Sequence, residues 1–324
     1  MSVLITGANG HVGFLAVKQA VAAGLSVVAQ VRSLGRVPSE ASALKEGQVT
    51  WVACELSDPS QISALGNEYE IEGCIHLAAV PNDELARPDP WAAIQSNVTA
   101  TAALLELARL QKWRRFIYVS TGSVFQNNSD FSSPIAEDRL PCPKTTYGST
   151  KHAGELMVQL YKNDFDVSAA TVRISHVYGP PLVPRARNYP RGPLVAFLRE
   201  AVLGEEINDS SGGDYESSFT HVLDVANGLL AAYTAETLNY SVYHLGNSRN
   251  WSGNDVVAAI RKVLPEAQIN LGAGTKPWSD YTALRGPLLD TRLKDDAGFT
   301  PQFPLEEGVA DFAEWMQKNR DMLL

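Results

Sequence analysis

A tyrosine and a lysine four residues apart, Tyr147 and Lys151, form the pair in this sequence that is best suited to acid–base chemistry. If the segment is helical, this spacing places both side chains on one face. An unperturbed tyrosine ionises near pH 10, but a neighbouring lysine cation favours the phenolate and lowers that pKa. Tyr147 would then take a proton from a substrate hydroxyl, or return one during reduction. In isolation such a pair is common on protein surfaces, so the surrounding sequence must decide its meaning.

Hydroxyl side chains follow the strand predicted at residues 116–120. The segment 120–123 reads Ser-Thr-Gly-Ser. In folds built on an open parallel sheet, the carboxyl ends of the strands face the binding crevice. A hydroxyl in this segment can hydrogen-bond a substrate oxygen and orient it for Tyr147. The alternative is an ordinary turn that contains hydroxyl side chains.

Gly7, Gly10 and Gly13 lie between a short apolar strand and the first helical segment. Glycine at this spacing allows a tight turn, close approach of the backbone to a pyrophosphate, and close helix–strand packing. The start of the helix also presents free N–H groups and a positive dipole to phosphates. Because the glycines lie between this strand and this helix, they predict a dinucleotide site rather than a merely structural turn.

The end of the second predicted strand, residues 26–31, indicates which dinucleotide binds. An NAD site usually has Asp or Glu there to hold the ribose hydroxyls, but no acid occurs here before Glu40. Arg32, with Ser33 or Arg36, can instead hold the 2′-phosphate of NADP, because a guanidinium matches a phosphate in geometry and charge. We therefore expect NADP to be preferred, with NAD as the alternative; a solvated surface arginine is the other interpretation of Arg32.

The elements that must position these residues alternate along the first half of the chain. Strands are predicted at 3–5, 26–31, 49–53, 74–78, 116–120 and 167–174, and helices at 11–23, 90–110 and 147–161, with another beginning near Asp58. Nearly continuous apolar strands that alternate with helices predict an α/β fold with a Rossmann-like, doubly wound parallel sheet. Right-handed crossovers place the carboxyl ends of the strands, and the crevice, along one edge.

Prolines and arginines break this alternation from about residue 180. Helices are then predicted at 194–203, 222–234, 254–263 and 306–316, with a strand at 242–245. We divide the chain into a dinucleotide-binding domain, residues 1–175, and a smaller α/β substrate-binding subdomain, residues 176–324, with segments shared between them. The arginines near residue 185 are solvated loop charges, unless an anionic substrate group uses one of them.

The composition excludes several classes of protein. With 45% apolar and 19% charged residues, the 324-residue chain is globular rather than disordered, collagen-like or coiled-coil. Its formal charge of −9 opposes binding to nucleic acid or to an anionic membrane surface. No apolar run approaches the roughly 18 residues that cross a bilayer, and the N-terminus lacks the basic start of a signal peptide.

The cysteines point to a reducing compartment. Cys54, Cys74 and Cys142 are odd in number, widely spaced and without histidines in a ligand pattern. We therefore expect no disulfide framework and no metal site, and we expect the protein in the cytoplasm.

Several motifs, taken in order, resemble those of the extended short-chain dehydrogenase/reductases, which include NAD(P)-dependent sugar epimerases, dehydratases and ketone reductases. The matching segments are TGxxGxxG at 6–13, His-Leu-Ala-Ala at 76–79, Asn97, the hydroxyl segment at 120–125, YxxxK at 147–151 and an RxxNVYGP-like segment at 173–180, with weaker matches at 219–226 and 243–247. The resemblance implies that Thr121 is the catalytic Ser/Thr, that Tyr147 is the acid–base residue and that Lys151 is its partner.

With the glycine turn and Arg32, the resemblance gives a full set of site predictions. The predicted cofactor-binding residues are Gly7, Asn9, Gly10, His11, Val12, Gly13, Arg32, Glu55, Leu56, Leu77, Ala78, Ala79, Asn97, Tyr147, Lys151, Ile174 and His176. The predicted substrate-binding residues are Ser123, Val124, His176 and Arg185. His176 stands where the family usually has asparagine, so its polar role stays open.

Two departures from the family patterns narrow the reaction. Nucleotide-sugar 4,6-dehydratases carry an acidic pair after the catalytic threonine, but Gly122 and Ser123 stand there, so dehydration lacks its acid–base group. Many nucleotide-sugar enzymes bind the substrate diphosphate with an arginine at the position of Ser217, beside which Glu216 would repel a diphosphate. Arginines elsewhere, among them Arg285, compensate only if the fold brings them to the site.

The resulting functional prediction is an NAD(P)-dependent oxidoreductase that interconverts a secondary alcohol and a carbonyl. Its substrate would be a sugar, a sugar acid or a related polar hydroxy compound that is not carried on a nucleotide. The alternative is a sugar or nucleotide-sugar epimerase that works through a transient keto intermediate. A nicotinamide-sensing regulatory protein is a third class, but it need not retain Thr121, Tyr147 and Lys151 together. The resemblance also implies a homodimer through the helices near 95–110 and 147–162.

Overall fold

The computed structural model describes residues 1–45, 47–128, 130, 132–182, 193–277 and 282–324. The strands in these residues are β1 (Ser2–Thr6), β2 (Val27–Val31), β3 (Val49–Ala53), β4 (Ile71–His76), β5 (Arg115–Thr121), β6 (Ala169–Ile174), β7 (His176–Tyr178), β8 (Ile207–Asp209), β9 (Glu216–Ser217), β10 (Phe219–His221), β11 (Val242–Leu245), β12 (Trp251–Ser252) and β13 (Ile269–Leu271). The α-helices are α1 (His11–Ala22), α2 (Pro59–Glu68), α3 (Asp83–Ala86), α4 (Pro90–Ile94), α5 (Ala100–Gln111), α6 (Thr146–Phe165), α7 (Pro193–Leu203), α8 (Val222–Thr234), α9 (Gly253–Val263), α10 (Thr291–Ala297) and α11 (Leu305–Lys318).

Within the described residues, seven strands form a parallel sheet in the order β3-β2-β1-β4-β5-β6-β11. The first six follow the strand order 3-2-1-4-5-6 of dinucleotide-binding folds. The order reverses between β1 and β4, and such a reversal opens a crevice at the carboxyl ends of the strands. The prediction of a doubly wound, Rossmann-like α/β fold is therefore confirmed.

Helices cover both faces of the sheet, because strands that are apolar along their length need two apolar surfaces. All residues of β2 and β5 are buried. On one face α1 packs against α8, and Leu15 and Leu229 belong to the core cluster there. On the other face, α2, α5 and α6 cover a second cluster that contains Leu65, Leu104 and Val158.

The C-terminal part builds a core of its own and also extends the first sheet. α7, α9 and α11 pack against one another around Phe197, Ile260 and Phe312. By contrast, β11 pairs with β6 in the main sheet and α8 packs on α1. Residues after 176 thus contribute to both units, and the predicted boundary at 175/176 falls between β6 and β7.

The strand predicted at 74–78 is wrong at both ends. β4 begins at Ile71 and ends at His76. The chain leaves the sheet after His76 because Thr6 Oγ1 accepts the backbone N–H groups of Leu77 and Ala78, each at 3.0 Å. These bonds hold residues 77 and 78 beside the glycine turn.

The helix predicted at 90–110 is interrupted in the structure. A π-type turn at Gln95–Thr99 separates α4 from α5. Asn97 lies in this turn, accepts the N–H of Val80 at 2.8 Å and donates to Thr150 Oγ1 at 3.0 Å. Wide turns inside helices often occur at functional sites, and this one joins the segment after β4 to α6.

Two further properties of the described residues concern membrane crossing and the three cysteine thiols. Among the described residues, no helix combines the length and the apolar character that crossing a bilayer requires. Cys54, Cys74 and Cys142 carry free thiols. Burial raises the pKa of Cys54 to about 11, so this thiol is not an activated nucleophile.

Candidate active site

A cavity of about 660 Å³ lies along the edge where the strands end. It brings together most of the residues singled out from the sequence: Gly7, Asn9, Gly10, His11, Val12, Gly13, Arg32, Glu55, Leu56, Leu77, Ala78, Ala79, Thr121, Ser123, Tyr147, Lys151, Ile174 and His176. These residues come from segments far apart in the chain, and the parallel sheet is what assembles them. The cavity is large enough for a dinucleotide segment and a small substrate.

The turn between β1 and α1 fits a pyrophosphate group. Gly7 has a φ of 63°, which L side chains rarely adopt, and a Cβ there would lie 3.0 Å from the Ala78 backbone. A Cβ on Gly13 would collide with the Gly7 carbonyl oxygen. α1 begins after Gly10, which has no side chain to cap the first turn. The N–H groups at the start of α1 therefore suit an anion.

Gln30 holds this turn in place and was not found from the sequence. Its Oε1 accepts the N–H of Gly7 at 2.9 Å, and its Nε2 donates to the Cys54 carbonyl at 2.6 Å. The side chain is buried in β2 and also lines the cavity. A polar residue in an apolar strand is the signal that could have identified it.

Basic side chains line the cavity beyond β2. Arg32 and Arg36 are both exposed and both contribute to the cavity wall. Glu55 lies nearby: partial burial acts to raise its pKa, but hydrogen bonds from Ser57 and the charge of Arg32 lower it. This end of the cavity thus presents two guanidinium groups beside one carboxylate.

Thr121 is the last residue of β5, and 7% of its surface is exposed. Its Oγ1 accepts the N–H of Ser123 at 3.1 Å and lies 3.3 Å from Ser123 Oγ. This contact starts the short 3-10 turn Gly122–Phe125. The hydroxyl is therefore fixed in the cavity wall rather than on a mobile side chain.

Tyr147 lies in the first turn of α6, where two side chains cap the helix. Thr145 Oγ1 accepts the N–H of Gly148 at 3.2 Å. Asp83 Oδ1 accepts the N–H of Tyr147 itself at 2.9 Å. A carboxylate at a helix N-terminus satisfies an otherwise unpaired N–H and interacts favourably with the helix dipole.

Asp83 belongs to a buried network that sequence reasoning missed. Its Oδ2 lies 3.4 Å from Gln126 Nε2, and Gln126 Oε1 accepts the Thr145 hydroxyl at 2.7 Å. The network joins α3, the turn after β5 and the start of α6. It therefore fixes the backbone of Tyr147 relative to the segment that carries Thr121.

Lys151 follows Tyr147 by one helical turn, and 3% of its surface is exposed. Its Nζ lies 4.1 Å from the centre of the Tyr118 ring, a cation–π contact. Burial lowers the pKa of Lys151 to about 7, while the charge of Glu155 acts in the opposite direction. In the described residues no carboxylate forms an ion pair with this ammonium group.

Glu155 connects the helix that carries Lys151 to the strand that ends at Thr121. It accepts two hydrogen bonds from the Arg173 guanidinium at 2.8 Å each, and one from Ser120 Oγ at 2.6 Å. Both members of the ion pair are almost fully buried. Burial alone would raise the pKa of Glu155, but hydrogen bonds from Arg173, His152 and Ser120 lower it to about 2.

Arg285 and His176 both line the cavity. A Cβ on Gly122 would lie 3.0 Å from both Nε and Nη2 of Arg285, so the guanidinium lies against the residue that follows Thr121. Burial lowers the pKa of His176 to about 3, and the charge of Arg285 adds to this effect. His176 is therefore neutral beside a cation.

Two predicted site residues in the described part of the chain are absent from the cavity wall. Val124 is fully buried with Phe125, Ile135 and Leu288, so its predicted substrate contact is corrected to a packing role. Asn97 is fully buried, and its amide is bonded to Val80 and Thr150 instead of facing a cofactor. Arg185 lies outside the described residues.

Replacing Lys151 by methionine is expected to increase the stability of the protein without cofactor. Because the folded pKa is near 7 and the ordinary one is 10.5, the unfolded chain binds more protons between these values, so the cost of burying Lys151 falls as the pH rises through that window. The gain should be on the order of 3 kcal/mol at pH 6 and smaller at pH 9. Urea denaturation at both pH values measures it.

The exposed Lys18, which lies over the Phe14 ring, supplies the control. Lys18→Met should change the unfolding free energy little at either pH. A Lys151→Met protein that is less stable than the wild type at pH 6 would contradict the expectation.

A dinucleotide-binding fold with threonine, tyrosine and lysine at the cavity defines the class of the short-chain dehydrogenase/reductases. Comparisons with known proteins agree. The chain matches the model of the NAD dependent epimerase/dehydratase family over residues 3–246. The UDP-glucose 4-epimerase of Mycolicibacterium smegmatis is 28% identical over 98% of this chain and 99% of that relative. The dTDP-glucose 4,6-dehydratase of Xanthomonas campestris is 24% identical over 98% of this chain and 93% of that relative.

Solved structures show the same fold. The UDP-glucose 4-epimerase of Thermotoga maritima, solved with UDP-glucose, has a TM-score of 0.85 and 20% identity, and covers 99% of this chain and all of its own. MoeE5 in complex with UDP-glucuronic acid and NAD has a TM-score of 0.81 and 25% identity, and covers 98% of this chain and all of its own. The chain belongs to the NAD-dependent epimerase/dehydratase family. It is an enzyme of the extended short-chain dehydrogenase/reductase type, as the resemblance implied.

Proposed function

We propose that the enzyme catalyses the net, NAD(P)-dependent interconversion of a secondary alcohol and a carbonyl on a sugar, a sugar acid or a related polar hydroxy compound. One observation carries the proposal: a single cavity is lined by the glycine turn together with Thr121, Tyr147 and Lys151. The glycine turn suits a dinucleotide, and the three side chains suit proton transfer at an alcohol oxygen.

In this proposal Tyr147 is the acid–base residue. Its phenol accepts the proton of the substrate hydroxyl during oxidation and returns it during reduction. The cation of Lys151 and the positive end of the α6 dipole both favour the phenolate. The Thr121 hydroxyl hydrogen-bonds the same substrate oxygen and orients it. Because proton and hydride leave the substrate together, little charge accumulates on it.

The cofactor in this proposal is NADP rather than NAD. A bound nicotinamide dinucleotide supplies the hydride acceptor or donor of the reaction. The turn at Gly7, Gly10 and Gly13 would hold its pyrophosphate, and Arg32 and Arg36 would hold a 2′-phosphate. MoeE5 was solved with NAD; support for NADP here comes from the two arginines that line the cavity after β2.

Replacing Arg32 by serine should reduce the preference for NADP over NAD. A charge-assisted hydrogen bond from an exposed arginine supports a loss of about tenfold in the ratio of the two kcat/KM values. The KM for NADP should rise while that for NAD changes little. Arg320→Ser, in the C-terminal turn Arg320–Met322, is the control. A wild-type enzyme that prefers NAD would contradict the assignment.

The substrate in this proposal carries no nucleotide. Ser217 is buried in β9 and pairs with Trp251 of β12, so no cation stands at the position where many nucleotide-sugar enzymes carry a diphosphate-binding arginine. The fold does bring Arg285 into the cavity, against Gly122, so the proposal requires that Arg285 does not bind a diphosphate. Two relatives are named UDP-glucose 4-epimerase and dTDP-glucose 4,6-dehydratase. Nucleotide sugars must therefore be tested as substrates beside free sugars and sugar acids. Strong turnover of a nucleotide sugar would overturn this part of the proposal.

A panel of sugar acids, polyols, free sugars and nucleotide sugars, assayed with both cofactors, tests the reaction. Net oxidation should produce absorbance at 340 nm, the band of the reduced nicotinamide. The second candidate is an epimerase, favoured by the name of the M. smegmatis relative. An epimerised product that forms without a net change at 340 nm would establish that function instead.

The partners in this proposal are a small polar substrate and a second copy of the chain. Apolar side chains on the outer faces of α5 and α6 are exposed, among them Leu110, Leu156, Leu160 and Phe165. An apolar surface of this kind marks an interaction site. Light scattering should therefore give twice the chain mass of 35.1 kDa; a monomer would contradict it.

A further inference from the structure

The Arg285 guanidinium lies in the cavity without an acidic partner among the described residues; its titratable neighbours include the phenols of Tyr215 and Tyr147. It lines the cavity together with Thr121, Tyr147 and His176. In the part of the chain that the structure describes, it forms no ion pair with an acid and donates no hydrogen bond. A guanidinium carries five N–H donors, and partly buried charged groups are normally paired. The arrangement therefore suits an anion that arrives with the substrate.

The backbone that carries Arg285 is held firmly. The Arg285 carbonyl accepts a hydrogen bond from Asn250 Nδ2 at 2.7 Å. Gly286 packs against the backbone of Ser133 so closely that a Cβ would collide with it. Ile135 donates its N–H to the Pro287 carbonyl at 2.7 Å. The guanidinium is therefore presented by a fixed segment, as a preorganised binding group requires.

Gly122 makes room for this guanidinium. Nε and Nη2 of Arg285 lie 3.0 Å from the place where a Cβ on Gly122 would be. An acidic side chain at this position, as in the dehydratase pattern, would pair with Arg285 and neutralise it. This chain has instead a glycine and an adjacent cation. The cavity next to Thr121 is therefore positively charged here, whereas an acidic residue makes it negatively charged in the dehydratase pattern.

The location of the cation defines the kind of anion. Gly122 directly follows Thr121, so an anion bound against it lies beside the carbon that reacts. A planar carboxylate can accept two parallel hydrogen bonds from a guanidinium. A diphosphate on the far side of a sugar ring would be separated from that carbon by the ring. The neighbouring His176 is neutral and does not compete as a cation.

We propose that Arg285 binds a carboxylate of the substrate on or next to the reacting carbon, so that the enzyme selects hydroxy acids such as sugar acids over their neutral counterparts. This inference rests on the proposed function, because Thr121 and Tyr147 mark where the substrate reacts. It names the substrate class and the residue that selects it.

Two matched substrate pairs test the selection: D-glucuronate against D-glucose, and UDP-glucuronate against UDP-glucose. In whichever pair is turned over, kcat/KM should be about 10- to 100-fold higher for the acid than for the neutral compound, as expected for hydrogen bonds to a charged group. Arg285→Met should bring the acid-to-neutral ratio of kcat/KM to about one. Gly122→Asp should lower it by pairing with Arg285, whereas the neutral Gly122→Asn should not. Arg249→Met, an exposed arginine beside Trp251 outside the cavity lining, is the control.

Calorimetric binding of the same four compounds, with oxidised cofactor present, separates this inference from the proposed reaction. Acid-selective binding that Arg285→Met abolishes, without turnover, supports the inference and contradicts the reaction. Turnover without acid selectivity, or no acid-selective binding at all, overturns the inference. It is also overturned if Arg285→Met weakens both UDP compounds equally and leaves the free pair unchanged, because Arg285 then binds the diphosphate.

Discussion

Replacing Tyr147 by phenylalanine is expected to lower kcat/KM by about 10²- to 10⁴-fold, the range that a positioned acid–base group contributes. The substitution removes only the phenolic oxygen, which is the atom proposed to exchange a proton with the substrate. Lys151 would stay in place but has no proton path to the substrate oxygen in this proposal. Initial rates at 340 nm, with the substrate that the panel identifies, measure the loss.

The fold of this variant should be unchanged, which makes the loss interpretable. Two contacts of this turn do not involve the phenol and stay in the variant: the Tyr147 N–H donates to Asp83, and Thr145 caps the helix. Cofactor affinity and thermal unfolding should therefore stay near the wild-type values. Tyr161→Phe, the same deletion on the same helix but outside the cavity lining, should keep full activity.

The opposite outcome would overturn the role assigned to Tyr147. If Tyr147→Phe retains kcat/KM within a factor of about three of the wild type, far less than the contribution of an acid–base residue, another group transfers the proton. The proposed role of Tyr147 would then be wrong, whatever the cavity binds.

The parts of the fold that follow local rules could be predicted from the sequence. β3 and β11 have the predicted bounds, and α8 begins and ends where its pattern does. The parallel sheet with helices on both faces follows because apolar strands that alternate with helices need two covered faces. The glycine turn and the Tyr147–Lys151 spacing are local as well, so they indicated the place of the cavity.

The parts that could not be predicted depend on partners distant in the chain. Asp83 bonds to a backbone group 64 residues away, and Gln30 to one 23 residues away. β4 ends two residues before its predicted end because Thr6 Oγ1 accepts hydrogen bonds from the N–H groups of the next two residues. Arg285 meets Gly122 only in the folded state. No spacing rule along the sequence encodes such pairs.

Two side chains were placed wrongly for a related reason. The family pattern gave Val124 and Asn97 as contacts of small molecules, but a pattern states only that a residue is near the site. Val124 turns into the apolar cluster under the 3-10 turn. The side-chain amide of Asn97 forms hydrogen bonds with Val80 and Thr150. Both residues shape the cavity from behind its wall.

Replacing Glu155 by leucine should have the largest effect on stability, because it leaves the Arg173 cation buried without its partner. The pair is bidentate and almost fully buried. Breaking a buried pair by removing one member costs about 3–5 kcal/mol. Turnover should fall too, since Glu155 bonds Ser120 beside Thr121 and lies one turn after Lys151. Urea denaturation at pH 7 measures the change in unfolding free energy.

The pH dependence gives this prediction a second readout. The pKa of Glu155 is about 2 in the folded state and 4.5 ordinarily. Its contribution is therefore complete above about pH 4.5 and disappears as the pH falls toward 2. The stability difference between the wild type and Glu155→Leu should shrink over that range. A difference that stays constant down to pH 3 would mean that the charge of Glu155 is not the cause.

A matched pair of variants separates burial from charge pairing. Glu106 and Arg109 form an exposed pair on α5, so Glu106→Leu should change stability little. The double variant Glu155→Leu, Arg173→Met removes both buried charges and should recover much of the loss, because an apolar pair of similar volume often replaces a buried ion pair at little cost. If the double variant is as unstable as Glu155→Leu alone, the unpaired Arg173 charge is not what destabilises the single variant, and the lost bond to Ser120 must account for the effect.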